Sequence, residues 1–211
     1  MKKYIFFISF IIIGSFIIKN IFYNQIKIIE NPNDLLVLVN KNNKLPNNFI
    51  PSNLKKINLN YAYENQFLVK EAAIQFEKLS KQAKLEGYRI IAVSTYRSYD
   101  YQILLFNKYI KEKGLIHTLK YSAKPGHSEH QTGLAVDVMG SNNDYNLFES
   151  SKEFDWMINN CYKYGFILRY PKNKKYITGF AYEPWHYRYV GKKAENLMNN
   201  SITLEEINTE K

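Results

Sequence analysis

Ser128-Glu129-His130-Gln131-Thr132-Gly133-Leu134-Ala135-Val136-Asp137 decides the reading of this chain. It sets an imidazole and a carboxylate seven positions apart, across a glycine. On one straight strand that separation is roughly 23 Å, too far for both groups to reach one ion. The chain must therefore fold back, and Thr132-Gly133 supplies the bend, because glycine enters backbone conformations closed to other residues. Asp137 lies inside the otherwise apolar run Leu134-Ala135-Val136-Asp137-Val138-Met139. Strand alternation turns it either outward or into the interior. An interior carboxylate is costly unless it is paired or holds a metal.

Further along, Glu183-Pro184-Trp185-His186 adds a second imidazole with a carboxylate three positions before it. Proline forbids an ordinary helix interior and is poor in a central strand, so a bend is expected there. The spacing is not the helical H-E-x-x-H arrangement of many zinc peptidases. The two motifs together still hold two of the chain's four histidines. They offer three ligands of the kind a catalytic zinc takes, plus a spare carboxylate able to act as a base. Taken singly, each histidine reads as a satisfied core residue and Glu183 as a surface residue.

The rest of the sequence frames these motifs. The segment before residue 24 opens with Lys2 and Lys3, and residues 4–18 carry no charge. Counted through Tyr23 it approaches the roughly 20 residues that span a bilayer. The leading lysines favour a cytoplasmic N-terminus. A cleaved signal peptide normally ends in small residues of the A-x-A kind, and no alanine occurs before Ala62. Residues 1–23 are thus expected to be an uncleaved membrane anchor with the domain outside the cytoplasm; secretion after cleavage is the alternative. Residues 24–34 read as a tether, 35–200 as one domain and 201–211 as a C-terminal tail.

The formal charge is +10. That suits an anionic setting such as a cell wall or membrane surface. No glycine-rich phosphate loop and no basic helix accompany the scattered lysines, so nucleic acid is not the expected partner. Cys161 is the single cysteine; it forms no intrachain disulfide and reads as a small core residue.

Val69, Ala72, Ala73, Phe76, Leu79 and Ala83 recur at helical spacing up to Gly87. A second helix is expected after Ser98, a good N-cap with Asp100 in the following turn, ending at Gly114. Phe154, Met157, Ile158 and Cys161 mark a third that stops at Gly165. Strands are expected at residues 35–39, 88–94, 134–139, 166–169 and 185–190, and a loop at 117–126. This pattern is α+β, with a small antiparallel sheet and flanking helices around one metal site.

The motifs together resemble the VanY-type D-alanyl-D-alanine carboxypeptidases, zinc peptidases with an S-x-H-x(6)-D and E-x-W-H pattern. Ser94-Thr95-Tyr96-Arg97-Ser98-Tyr99-Asp100-Tyr101-Gln102 is similar to that family's S-G-Y-R-S-x(3)-Q segment, with Thr95 in place of the glycine. The resemblance runs over about residues 31–192. It implies one Zn2+ held by His130, Asp137 and His186, Glu183 as catalytic base, and Arg97, Gln102 and Ser128 at the substrate. Arg97 also has a chemical argument: the chain has four arginines, and a guanidinium fork suits a carboxylate or an oxyanion better than an ammonium does. The resemblance implies removal of the terminal D-alanine from peptidoglycan stem peptides. L,D-carboxypeptidase action on tetrapeptide stems is the alternative; a D,D-dipeptidase and a non-catalytic wall-binding module rank lower.

Overall fold

The computed structural model describes residues 26–208. The expected anchor over residues 1–23 lies outside them. Among the described residues no helix is long and apolar enough to cross a membrane.

Two short strand pairs come first: β1 (Lys27–Ile28) beside β2 (Asn43–Lys44), and β3 (Leu54–Lys56) antiparallel to β4 (Phe67–Val69). Helix α1 (Lys70–Leu85) buries the predicted stripe of Ala72, Ala73, Phe76, Leu79 and Ala83. Chain reversal at Gly87, with φ +88°, then feeds β5 (Ile91–Ser94). Helix α2 (Tyr99–Lys113) starts at Ser98, whose side chain accepts from the Tyr101 N–H, an N-cap bond that satisfies one orphan donor. Gly114 ends it with φ +80°.

Helix α3 (Leu115–Tyr121) occupies the first half of the stretch expected to be a loop. Gly114 lets the chain turn and restart, and the Thr118 hydroxyl donates back to the Gly114 carbonyl at 2.9 Å. Strand β6 (Ala135–Met139), helix α4 (Lys152–Asn160), β7 (Phe166–Leu168) and β8 (His186–Tyr189) follow, then α5 (Ala194–Asn199) and α6 (Leu204–Asn208).

The main sheet is antiparallel throughout, in the order β5-β6-β8-β7. Its two faces have different work. Val136 and Val138 of β6, Tyr187 and Tyr189 of β8 and Phe166 of β7 join Phe76 of α1 and Met157 of α4 in the principal core. Phe76 meets Phe166 edge to face at 6.0 Å. Full burial of such a side chain contributes about 1.5–3 kcal/mol. The alternate residues, Asp137, His186 and Arg188, belong to the opposite face, as the period of two requires. Register completes the arrangement, because Asp137 pairs with His186 across the β6–β8 ladder.

Residues 35–39, expected to form a strand, do not. Val37 and Val39 are buried, but the carbonyls of Leu35 and Val37 accept from the Arg188 guanidinium, each at 3.1 Å, in place of a neighbouring strand. At the other end, Leu204 packs with Ile167, Val190 and Leu197. Residues 203–205, assigned to the tail by sequence, are therefore buried against the sheet.

Candidate active site

His130 reaches Asp137 through a tight local fold. Residues Glu129–Thr132 form one 3-10 turn, and Gly133 closes it with φ +68°. The Thr132 hydroxyl donates to the Glu129 carbonyl at 2.6 Å and accepts from the Leu134 N–H at 3.0 Å. The chain thus doubles back where the glycine was expected to bend it, and His130 Nε2 comes within 3.3 Å of Asp137 Oδ2.

The second motif turns as its proline requires: the His186 N–H donates to the Glu183 carbonyl at 3.2 Å. His186 Nδ1 lies 3.0 Å from Asp137 Oδ1 and 3.7 Å from Glu183 Oε2. The two imidazoles stand nearly perpendicular, 5.0 Å between centroids, and Tyr170 lies against His186 at 4.9 Å.

One ligand atom from each of His130, Asp137 and His186 falls within 4.8 Å of the others, and all three residues are buried. His130 Nδ1 is 2.7 Å from the Thr95 carbonyl, which can only accept; Nδ1 therefore carries the proton and leaves the Nε2 lone pair facing the cluster. Neither His130 Nε2 nor Asp137 Oδ1 has a hydrogen-bond partner among the described residues. Buried polar atoms without partners are rare and costly. A divalent cation satisfies both, and two imidazoles with one carboxylate are the donor set that zinc favours.

Electrostatics follow from burial and from these neighbours. Burial pushes the Glu183 carboxyl up to about 7; the charges of Asp137 and Glu129 add to the rise, while His186 and Arg97 oppose it. Burial lowers His130 to about 4, with Arg97 contributing. Burial alone would lower His186 too, but the carboxylates of Asp137, Glu129 and Glu183 outweigh it and carry that imidazole up to about 9. Asp137 is held well below the usual carboxylate range: the two histidines overcome the effect of its burial.

The cluster lies at the floor of a cleft of about 1060 Å³, lined also by Arg97, Ser128, Tyr145, Phe180, Glu183 and Trp185. Among the described residues Arg97 is the one arginine or lysine that lines it, and its buried Nε has no partner. Arg97 is held to the metal motif through its backbone, its N–H donating to the His130 carbonyl at 3.2 Å. Gln102, expected at the substrate, is not among the lining residues; it braces the wall, donating from Nε2 to the Ala123 carbonyl at 2.8 Å. His127, two residues before Glu129, contacts the Asn40 carbonyl through Nδ1 at 2.8 Å.

Sequence reasoning passed over Glu129. It is buried, and one of its oxygens accepts from both Arg169 Nε (2.8 Å) and Arg188 Nη1 (2.9 Å). The signal was present: two of the four arginines sit in or beside apolar strands, and buried guanidinium groups require a counter-charge.

A family model described as VanY, D-alanyl-D-alanine carboxypeptidase, matches residues 65–192, the span that holds every motif residue above. The chain belongs to the VanY D-alanyl-D-alanine carboxypeptidase family. It is an enzyme, a metallo-carboxypeptidase. The protein YodJ of Bacillus subtilis (strain 168) is 43% identical, over 92% of this chain and 76% of YodJ. The solved structure of the LdcB LD-carboxypeptidase is similar at a TM-score of 0.80 and 45% identity, covering 86% of this chain and 89% of LdcB. A point mutant of the D,D-pentapeptidase VanY from a VanB-type resistance cassette, solved in complex with Zn(II), is similar at 0.69 and 31%, covering 81% of this chain and 97% of that one. The similar solved structures thus include both an LD-carboxypeptidase and a D,D-pentapeptidase.

Proposed function

We propose that this chain is a zinc carboxypeptidase that releases the C-terminal D-alanine of peptidoglycan stem peptides. The observation that carries the reading is the buried His130–Asp137–His186 cluster with Glu183 beside it, on the floor of a cleft in which Arg97 is, among the described residues, the one lining arginine or lysine. His130, Asp137 and His186 would hold the zinc. Bound there, zinc supplies Lewis acidity, polarising a carbonyl and making water a nucleophile at neutral pH.

The protein's own groups do the remaining work. Glu183 accepts a proton as water attacks the terminal amide carbonyl, then delivers it to the departing D-alanine amine. Its raised pKa places it near neutrality, where a group both takes and returns a proton efficiently. Release of one residue requires recognition of a free α-carboxylate, and the Arg97 fork, with an unpaired Nε, offers that. Ser128 lines the cleft as a hydrogen-bonding group. Gln102 acts from behind the wall, through the Ala123 carbonyl.

The motifs put the D,D bond of the pentapeptide first. Cleavage of the L,D bond of the tetrapeptide is the second reading, favoured by the greater likeness to LdcB than to the D,D-pentapeptidase in both TM-score and identity. Mass spectrometry of products from defined penta-, tetra- and dipeptides tests both. Release of D-alanine from the tetrapeptide alone would select the L,D reading, and no release from either peptide would remove the proposal.

The membrane reading of residues 1–23, with the domain outside the cytoplasm, is part of the same proposal. Peptidoglycan lies there, and the apolar length fits a span. N-terminal sequencing of membrane-fraction protein tests it; a soluble chain beginning near residue 24 would mean a cleaved signal.

A further inference from the structure

We infer that Glu129 is a positioning residue for the metal site: it holds His186 with Nε2–H turned to its own carboxylate and the Nδ1 lone pair turned to the ligand cluster. The inference rests on the zinc-site reading above and concerns a residue outside that ligand set.

The geometry is specific. Glu129 has one oxygen committed to Arg169 and Arg188, at 2.8 and 2.9 Å. Its other oxygen, Oε2, is buried with no hydrogen-bond partner among the described residues. His186 Nε2 is buried and equally without one. These two orphan atoms lie 3.5 Å apart. The opposite ring nitrogen, Nδ1, faces Asp137 Oδ1 at 3.0 Å and Glu183 Oε2 at 3.7 Å. The imidazole therefore stands between two carboxylates on the side of the candidate ligands and a single one, Glu129, on the side of the arginines.

A neutral imidazole has one donor and one acceptor nitrogen. Glu129 Oε1 already accepts from two guanidinium groups, so Oε2 is the oxygen left to accept from the ring. The proton of a metal-ligating His186 then belongs on Nε2, and Nδ1 is left as the ligand atom. Carboxylate partners of this kind fix the tautomer and ring orientation of metal-bound histidines. Tyr170 packs against the ring at 4.9 Å, its plane inclined by 42°, and limits its movement.

The support reaches to the far end of the chain. Arg169, which holds Glu129 through Nε, presents its two terminal nitrogens to Glu205 of α6, both at 2.8 Å. Asn40 Nδ2 donates to the same Glu205 at 3.4 Å. Residues far apart in sequence thus clamp one carboxylate behind one ligand.

The test uses the full-length chain. Zinc-loaded wild-type protein carrying 15N-histidine should show His186 protonated at Nε2 and bound through Nδ1 in long-range 1H–15N correlation spectra. In chelator competition, Glu129→Gln should weaken zinc binding about 10- to 100-fold. Glu205→Gln leaves Glu129 and His186 in contact and should lose less. Normal zinc uptake with His186 bound through Nε2 would overturn the inference alone. So would wild-type affinity in Glu129→Gln, or equal losses in both variants, which would mark general loosening of the fold. A wild-type chain that takes up no zinc would overturn the zinc-site reading and this inference with it. If Glu129→Gln does not fold, the wild-type tautomer still decides.

Discussion

Glu183 Oε2 lies 3.7 Å from His186 Nδ1, across a turn that the His186 N–H closes on the Glu183 carbonyl. Pro184 between them excludes a helix, so the pair is brought together by a bend leading directly into β8. The backbone of β8 fixes His186 opposite Asp137, while Glu183 stays just outside the ladder. A proposed ligand on a rigid strand beside a proposed base on its leading turn gives that carboxylate a fixed distance from the candidate metal site without making it a fourth member of the cluster.

Replacing that base should separate chemistry from structure. Glu183→Gln keeps the shape of the side chain and leaves His130, Asp137 and His186 untouched. It should retain stoichiometric zinc and a wild-type circular dichroism spectrum while turnover falls about 10²–10⁴-fold, the usual contribution of a positioned base. Near-normal turnover in that variant would take Glu183 out of the mechanism.

The same carboxyl should leave a mark on the stability of the metal-free protein. Its folded pKa is raised to about 7 from an ordinary 4.5, chiefly by burial. Between those values the folded state binds more protons than the unfolded state, so this group's contribution is full below about pH 4.5 and is lost as pH rises through 7. The difference corresponds to about 3 kcal/mol at most. In urea unfolding of zinc-free samples, Glu183→Gln should gain stability relative to wild type on passing from pH 5 to pH 8. A pH-independent difference between the two proteins would contradict the assigned shift.

Zinc uptake should release protons. His186 is raised to about 9 in the metal-free protein by Asp137, Glu129 and Glu183, so at pH 7.5 it is protonated, and a ligating imidazole must be neutral. Titration calorimetry in buffers of different ionisation enthalpy should report about one proton released per zinc bound. Affinity should fall as pH is lowered. His186→Ala should lose most of its zinc; full stoichiometric zinc in that variant would remove His186 from the ligand set.

What the sequence disclosed, and what it hid, divides along the period of the chain. The stripe of α1, the Ser98 cap, the strands around Val136 and Tyr187 and the fold-back at Gly133 were all readable, because each depends on local spacing or on one residue's backbone freedom. The segment at residues 35–39 was misread as a strand because its carbonyls are taken by Arg188, more than 150 positions away (35 to 188), and no local pattern encodes that. Helix α3 was missed because seven residues give too short a window for periodicity. Gln102 lies near the cleft wall without lining it, a distinction that only the packing of α2 against residue 123 makes. Glu129 was hidden for a related reason: a carboxylate next to a ligand reads as solvated until Arg169 and Arg188 are seen converging on it.

Gly133 gives the sharpest test of how the fold builds the site. Its φ of +68° is a left-handed conformation, which costs a non-glycine residue about 1–3 kcal/mol when the surroundings impose it. Space is also short. A Cβ there would lie 2.9 Å from Leu54 Cδ2 and 3.2 Å from Val69 Cγ2, while Val69 N–H donates to the Gly133 carbonyl at 2.9 Å. Relief requires the Leu54 and Val69 side chains to give way, or the turn to move away from them. A shift of the turn acts on the four residues that separate His130 from the start of β6. Gly133→Ala should therefore lower denaturant stability by at least about 1 kcal/mol and weaken zinc binding, although it removes no ligand. Leu134→Ala, one position on, creates a cavity without altering backbone freedom, and should cost about 2–5 kcal/mol of stability with a smaller change in zinc affinity per unit of stability lost. If the two variants lose zinc affinity in proportion to stability, the left-handed turn has no special part in placing His130 against Asp137.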